Sequence, residues 1–163
     1  FSFFFRYNKP YERRENMDAN QRREIILKHY QNPVHRGLVS DETYRKANTS
    51  NESCIDEVHL MAKLENGRIV DLRFDGEACA MCTSSTSLMI QTLIGKTLEE
   101  AEVILQQFEA MIEGEEYDAN VLEDTIVYDD IAKQPNRKKC VLLPWWGLEK
   151  ILNEEKEGKQ NER

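Results

Sequence analysis

Asp56-Glu57-Val58-His59-Leu60-Met61-Ala62-Lys63-Leu64-Glu65-Asn66-Gly67-Arg68-Ile69-Val70-Asp71-Leu72-Arg73-Phe74 is the stretch that decides the fold. Its first half alternates. Val58, Leu60, Ala62 and Leu64 fall on one face of an extended chain, and Glu57, His59, Met61 and Lys63 fall on the other. Val70, Leu72 and Phe74 repeat the pattern in the second half, and Asn66-Gly67 between the halves marks a hairpin turn. A two-residue loop would pair even positions with odd ones and send the two apolar sets to opposite faces. An odd loop with Gly67 in a left-handed bulge keeps both sets on the core side, and that register is expected.

Working outward, Asp18–Tyr30 reads as a helix capped by Asp18 and stopped by Pro33. Ile25, Ile26 and Tyr30 share its apolar face, with Leu27 near the edge. A first strand is expected near Thr43–Ala47. The period changes from Cys82, where Leu88, Met89, Thr92 and Leu93 form a helical stripe ending at Gly95. Thr97-Leu98-Glu99-Glu100 is a capping box. The helix it opens points Ala101, Ile104, Leu105, Phe108 and Met111 inward and ends near Gly114. Residues 118–134 are acidic, with Val121, Leu122, Ile126, Val127 and Ile131 as scattered anchors. After the breaker Pro135-Asn136, a last helix is expected from Cys140 to Leu152, burying Leu143, Trp145, Leu148, Ile151 and Leu152. A helix, a small antiparallel sheet of about three strands and then more helices make an α+β fold.

The chain has 163 residues, with 22 Lys and Arg against 30 Asp and Glu, a net charge of −8. That balance argues against nucleic acid, whose phosphates need a basic surface. No apolar run is long enough to span a membrane. Four Cys in a chain of this length fit a cytoplasmic protein that uses thiols for metal or sulfur chemistry better than a secreted disulfide scaffold. Residues 1–16 differ from the rest: Phe1, Phe3, Phe4 and Phe5 cluster without periodicity, and four basic residues accompany two acidic ones. We expect a leader or disordered extension over 1–16, with Met17 as the natural start. A single domain is expected over 17–153 and a charged, frayed tail over 154–163.

The Cys residues stand at joints between elements. Cys54 precedes the first strand of the hairpin, Cys79 follows the second, and Cys140 stands at the expected start of the last helix. Asp56 lies two residues after Cys54, so on an extended chain both point the same way. The entry to one hairpin strand lies beside the exit of the other, which brings Cys54 and Cys79 together. One ligand from Cys140 would complete a four-coordinate site of three sulfurs and one oxygen, a set that suits zinc. A helix start at Cys140 would favour its thiolate. Cys82 begins an apolar helix and reads as a buried passenger; Cys79-x-x-Cys82 alone fits redox chemistry, metal binding or chance, and the strand before it does not lead into a thioredoxin-like βαβ unit. His59 reads as a surface strand residue, while His29 and His35 flank the first loop. One of Trp145 and Trp146 should be buried and the other partly exposed, as at a partner surface.

At these residues the chain resembles the U-type iron–sulfur cluster assembly proteins, the IscU/NifU N-domain superfamily. The resemblance covers about Asp18 to Leu152. It is carried by His29-Tyr30-x-Asn32-Pro33 with Arg36-Gly37, Asn48 followed by Cys54-x-Asp56, Phe74-x-Gly76-x-x-Cys79, Ser84-Ser85-x-Ser87-x-Met89, and Gly95-Lys96. The SufU branch is the more similar. Cys79 and Cys140 stand 61 positions apart, farther than in scaffold-type members, and Lys139 occupies the place of their His ligand. The string Arg137-x-Lys139-Cys140-x-x-Leu143-x-Trp145-x-x-Leu148-Glu149 is similar to that branch's signature.

The resemblance implies a zinc site of Cys54, Asp56, Cys79 and Cys140. It implies a zinc-dependent sulfurtransferase that takes persulfide sulfur from a SufS-type cysteine desulfurase and serves downstream iron–sulfur assembly proteins. Cys54, among the polar neighbours Asn51, Glu52 and Ser53, is the expected acceptor, with Arg137 as electrostatic support. The alternatives are an IscU-like scaffold that assembles a transient Fe–S cluster on its own Cys residues, and a non-catalytic module with a structural zinc. Two positions depart from the family: Ile55 and Ala78 stand where glycine is usual, which narrows backbone freedom beside the site.

Overall fold

The computed structural model describes residues 17–52 and 55–161. The expected leader over 1–16 and the expected ligand Cys54 lie outside the described residues. In chain order the elements are α1 (Ala19–Gln31), β1 (Arg45–Ser50), β2 (Glu57–Glu65), β3 (Arg68–Asp75), α2 (Ala80–Leu93), α3 (Leu98–Glu113), three short 3-10 turns between Ala119 and Lys133, and α4 (Pro135–Asn161). The strands form one antiparallel sheet in the order β1-β2-β3, as the α+β reading expects.

The hairpin pairs even positions with even: Leu60 lies opposite Phe74, and Ala62 opposite Leu72. That is the expected pairing, reached by a different device. The loop has two residues, Asn66 and Gly67, with φ of 53° and 72°. A positive φ at both positions is what the tightest hairpin loop requires. The parity is corrected further along, where the register shifts between Lys63 and Leu64: Lys63 pairs with Asp71, Leu64 with Ile69, and Val70 is skipped. The extra residue is a bulge, and it inverts the alternation beyond it. Ile69 is therefore buried, and Val70, expected in the core, is 39% exposed. Met61 is buried although it lies on the His59 face.

α1 starts as expected. Asp18 accepts from Gln21 N–H at 2.8 Å, and the Gln21 side chain returns the bond to Asp18 N–H at 2.9 Å. Its buried residue is His29 rather than Tyr30, which is 44% exposed. α3 matches closely, from the Thr97–Glu100 capping box to the left-handed Gly114 at its end. The acidic stretch buries Leu122, Ile126, Val127 and Ile131 as anchors, and adds Tyr128, which the sequence reading passed over.

Two helices differ from expectation. α2 is buried on nearly every side, packed among α1, α4 and the central 3-10 turn, so it carries no simple stripe. Its hydroxyls tie those neighbours together. Ser84 meets Tyr128 Oη, Ser85 donates to Val141 O at 2.6 Å, and Trp145 Nε1 donates to Ser85 Oγ at 3.1 Å. α4 begins at Pro135, which suits a first helical turn because the missing N–H would have no partner there. Cys140 consequently lies inside the helix, not at its start. α4 also runs on through the charged segment to Asn161, where Glu155 pairs with Arg45 and Lys156 with Glu102.

Gly76 fixes how the hairpin closes at its open end. Its φ is +126°, and a Cβ placed there would lie 2.1 Å from the Glu57 carbonyl oxygen. Gly67 has a positive φ but open space around it. Gly76→Ala should therefore cost more than about 3 kcal/mol of unfolding free energy, against about 1 kcal/mol for Gly67→Ala. Urea unfolding of both variants checks this, and equal losses would show that the close approach is not what demands glycine.

Candidate metal centre

The site forms where the end of β3 passes the start of β2. Glu57 N–H donates to Glu77 O at 2.7 Å, which clamps the strand exit to the strand entry. Asp56, buried just before β2, accepts from Cys79 N–H through Oδ1 at 2.7 Å. That bond turns Oδ2 toward the Cys79 sulfur, 3.6 Å away. Cys79 is the N-cap of α2, and its Sγ accepts from Cys82 N–H at 3.5 Å. The positive end of a helix thus faces Cys79 rather than Cys140. Cys140 reaches the same place from the interior of α4. Four residues on, Pro144 has no N–H to offer the Cys140 carbonyl, as an unbroken helix would.

Asp56, Cys79 and Cys140 each offer one ligand atom, and these atoms all lie within 4.8 Å of one another. Burial pushes the Cys140 thiol pKa up, and the neighbouring Cys79 and Asp56 add to the effect. Three groups that carry negative charge when deprotonated therefore converge in a partly dry place, which is unfavourable alone and favourable around a cation. The Asp56–Cys79 spacing is the one a tetrahedral zinc would set: ligand bonds of about 2.3 Å to sulfur and 2.1 Å to oxygen place sulfur and oxygen about 3.6 Å apart.

The other expected residues are placed as follows. Ile55, beside Cys54, is 79% exposed, which puts that end of the loop at the surface. Ala78 has a negative φ, so its backbone does not call for the usual glycine. Arg137 is exposed and stands one helical turn before Cys140. Lys139 lines a cleft of about 510 Å³ with Ser50, Asn51, Glu52 and Trp146. The sequence reading did not assemble this cleft, although a partly exposed Trp was its one signal. Trp145 is the buried member of the pair and stacks on Phe108 with ring centres 4.0 Å apart. His59 bonds Asn48 Oδ1 across β1 and β2 at 2.8 Å, outside the cluster. Cys82 is fully buried and is not among the three converging ligands.

Residues 21–141 match the model of the NifU-like N terminal domain. The chain belongs to that family. Its members include the U-type iron–sulfur cluster assembly proteins, and two kinds are similar here. The zinc-dependent sulfurtransferase SufU of Bacillus subtilis (strain 168) is 35% identical over 137 residues, which is 83% of this chain and 92% of the relative. The iron-sulfur cluster assembly scaffold protein IscU of Thermotoga maritima is 34% identical, over 79% of this chain and 90% of the relative. A crystal structure from Fervidobacterium islandicum AW-1, described as an iron-sulfur cluster assembly scaffold protein for the SUF system, superposes with a TM-score of 0.76. It is 37% identical and covers 79% of this chain and 94% of its own. No helix among the described residues is long and apolar enough to cross a membrane.

His29 and Ser87, both within the family strings, meet between α1 and α2. Ser87 Oγ accepts from Val34 N–H at 2.9 Å and lies 2.7 Å from His29 Nδ1. A hydroxyl that already accepts has its own proton to give, so we assign Nδ1 as acceptor and the imidazole as neutral. Burial holds the His29 pKa below its usual value, with Lys28 adding to the shift. A lowered native pKa means the unfolded chain binds more protons, so this contribution is intact above about pH 6.5 and is lost as pH falls below it. The urea midpoint should fall as pH drops below about 6.5, and His29→Gln should flatten that slope.

Proposed function

We propose that this U-type family member is a zinc-dependent sulfur acceptor for a SufS-type cysteine desulfurase, and that it passes sulfur to downstream iron–sulfur assembly proteins. The observation that carries the reading is the convergence of Asp56, Cys79 and Cys140, with Lys139 in the position where scaffold-type members place a histidine ligand. Cys54 completes the ligand set in this reading, and the functional unit is the segment 17–153, in the cytoplasm. Zinc held there keeps the coordinating thiols deprotonated at neutral pH.

The transfer itself belongs to Cys54. Its thiolate attacks the outer sulfur of the desulfurase persulfide. The sulfur–sulfur bond breaks, the desulfurase Cys leaves as a thiolate, and Cys54 carries the new persulfide. The exposure of Ile55 supports an acceptor that a partner's loop can reach. Arg137, exposed one turn before Cys140, and Lys139, in the cleft beside Asn51 and Glu52, bring positive charge toward an anionic persulfide. The scaffold reading draws on the similarity to the Thermotoga maritima protein. Metal analysis separates the two. One zinc without visible absorbance supports transfer, whereas iron with acid-labile sulfide supports the scaffold.

Cys79→Ser and Cys140→Ser should each weaken zinc binding by more than the roughly 10- to 100-fold that outer-shell changes cost, and should lower stability. Inductively coupled plasma analysis with thermal unfolding checks this; stoichiometric zinc in both variants would reject the ligand set. Cys54→Ser should abolish sulfur uptake while the complex with the desulfurase still forms, since a hydroxyl cannot hold a sulfane sulfur. Mass spectrometry of trapped adducts is the measurement. Sulfur on Cys82 or Cys140 of the unmodified chain, with Cys54 bare, would remove Cys54 from its role.

A further inference from the structure

The function described above leaves Cys82 without a task, and its position suits one. Cys79 is the N-cap of α2 and Cys82 its third helical residue, with Cys82 N–H against the Cys79 sulfur at 3.5 Å. By helix geometry, residues three apart lie on one side with their Cα atoms about 5 Å apart, inside the range that a disulfide spans. Their exposures differ in a useful way: Cys79 is half-buried, while Cys82 is fully buried behind it.

We propose that Cys79 and Cys82 form a thiol–disulfide redox pair, and that closing it withdraws Cys79 from the Asp56–Cys79–Cys140 cluster. The oxidant is a small disulfide. The Cys79 thiolate attacks one of its sulfurs; that sulfur–sulfur bond breaks, one thiolate leaves, and a mixed disulfide stands on Cys79. Cys82 gives its proton to solvent and attacks the Cys79 sulfur from the buried side. The second thiolate leaves as the Cys79–Cys82 bond forms. The two protein thiols lose two electrons and two protons, and the small disulfide takes up the two electrons as two thiolates. Cys82 is the resolving thiol because the outward path from Cys79 is occupied by the incoming group and Cys82 lies inward. Release of metal on oxidation rests on the zinc reading, but the disulfide does not.

Full-length protein loaded with stoichiometric zinc is treated with glutathione disulfide, the free thiols are alkylated, and the peptides are mapped. The expected result is an internal Cys79–Cys82 link whose formation tracks zinc release, with both reversed by dithiothreitol. In Cys82→Ala, Cys79 should stop at the mixed disulfide, and any other link should stay at least about tenfold rarer than the native one. Cys82→Ser repeats the test with a different volume, with circular dichroism as the control for folding. The same mapping on zinc-free protein shows whether the thiol pair closes on its own, so failure of the zinc reading and failure of the pair are distinguishable. Cys79 linked to Cys140 instead, or a mixed disulfide that persists on Cys79 of the unmodified chain, overturns the proposal.

Discussion

The end of β3 passes the start of β2 so closely that the Glu57 carbonyl oxygen occupies the space a side chain at residue 76 would need. The site depends on that contact. It allows the Glu57–Glu77 backbone bond, sets Asp56 against the N–H of Cys79 at the cap of α2, and leaves one carboxylate oxygen aimed at the Cys79 sulfur. Each step converts a loose loop position into a fixed one. An acid and a thiol 23 residues apart in sequence end up held by backbone hydrogen bonds rather than by their own attraction. Such a site is preorganised, because its carboxylate needs no metal to be oriented.

The sheet was legible because its signals are local. Period-two alternation named β2 and β3, and Asn66-Gly67 named the turn between them. The parity problem was legible too, since a two-residue loop cannot place both apolar sets inward. Its solution was not. A bulge at Val70 and a bulge at Gly67 restore the same even-to-even pairing, and only the packing of Ile69 chooses between them. Edge placement compounds this, because β3 takes its other partners from the loop at His35–Gly37 rather than from a strand.

The helices show where local signals stop. α3 has a capping box, a clean apolar face and a glycine at its end, and it was readable throughout. α2 has none of that clarity. Ser84, Ser85 and Ser87 look like a solvated face, yet all three are buried, because each hydroxyl meets a partner from a distant segment. The same long-range character explains His29, whose burial depends on Ser87. α4 was read as starting at Cys140 because Pro135-Asn136 resembles a breaker. Proline is a breaker only inside a helix, and at its first turn it is a favourable start. α4 continues past Pro144, and beside that proline Thr49 of β1 and Ser85 of α2 donate to the carbonyls of Leu143 and Val141.

Placing Cys140 inside a helix alters how the centre can work. A ligand in a helix interior has a fixed backbone and moves only by side-chain rotation, and the nearby Val141 and Trp145 are fully buried. Asp56 is buried and bonded to backbone, so it too is held. Cys79 sits on the last residue before a helix, where a side chain can swing while the helix stays intact. Three donors of graded mobility therefore share one position, and chemistry that needs a ligand to depart must draw on a flexible end of that scale. Of the two described thiols in the cluster, Cys79, at a cap, is the one placed there. The fixed positions thus lie on α4 and at the start of β2, and the freer one at the cap of α2.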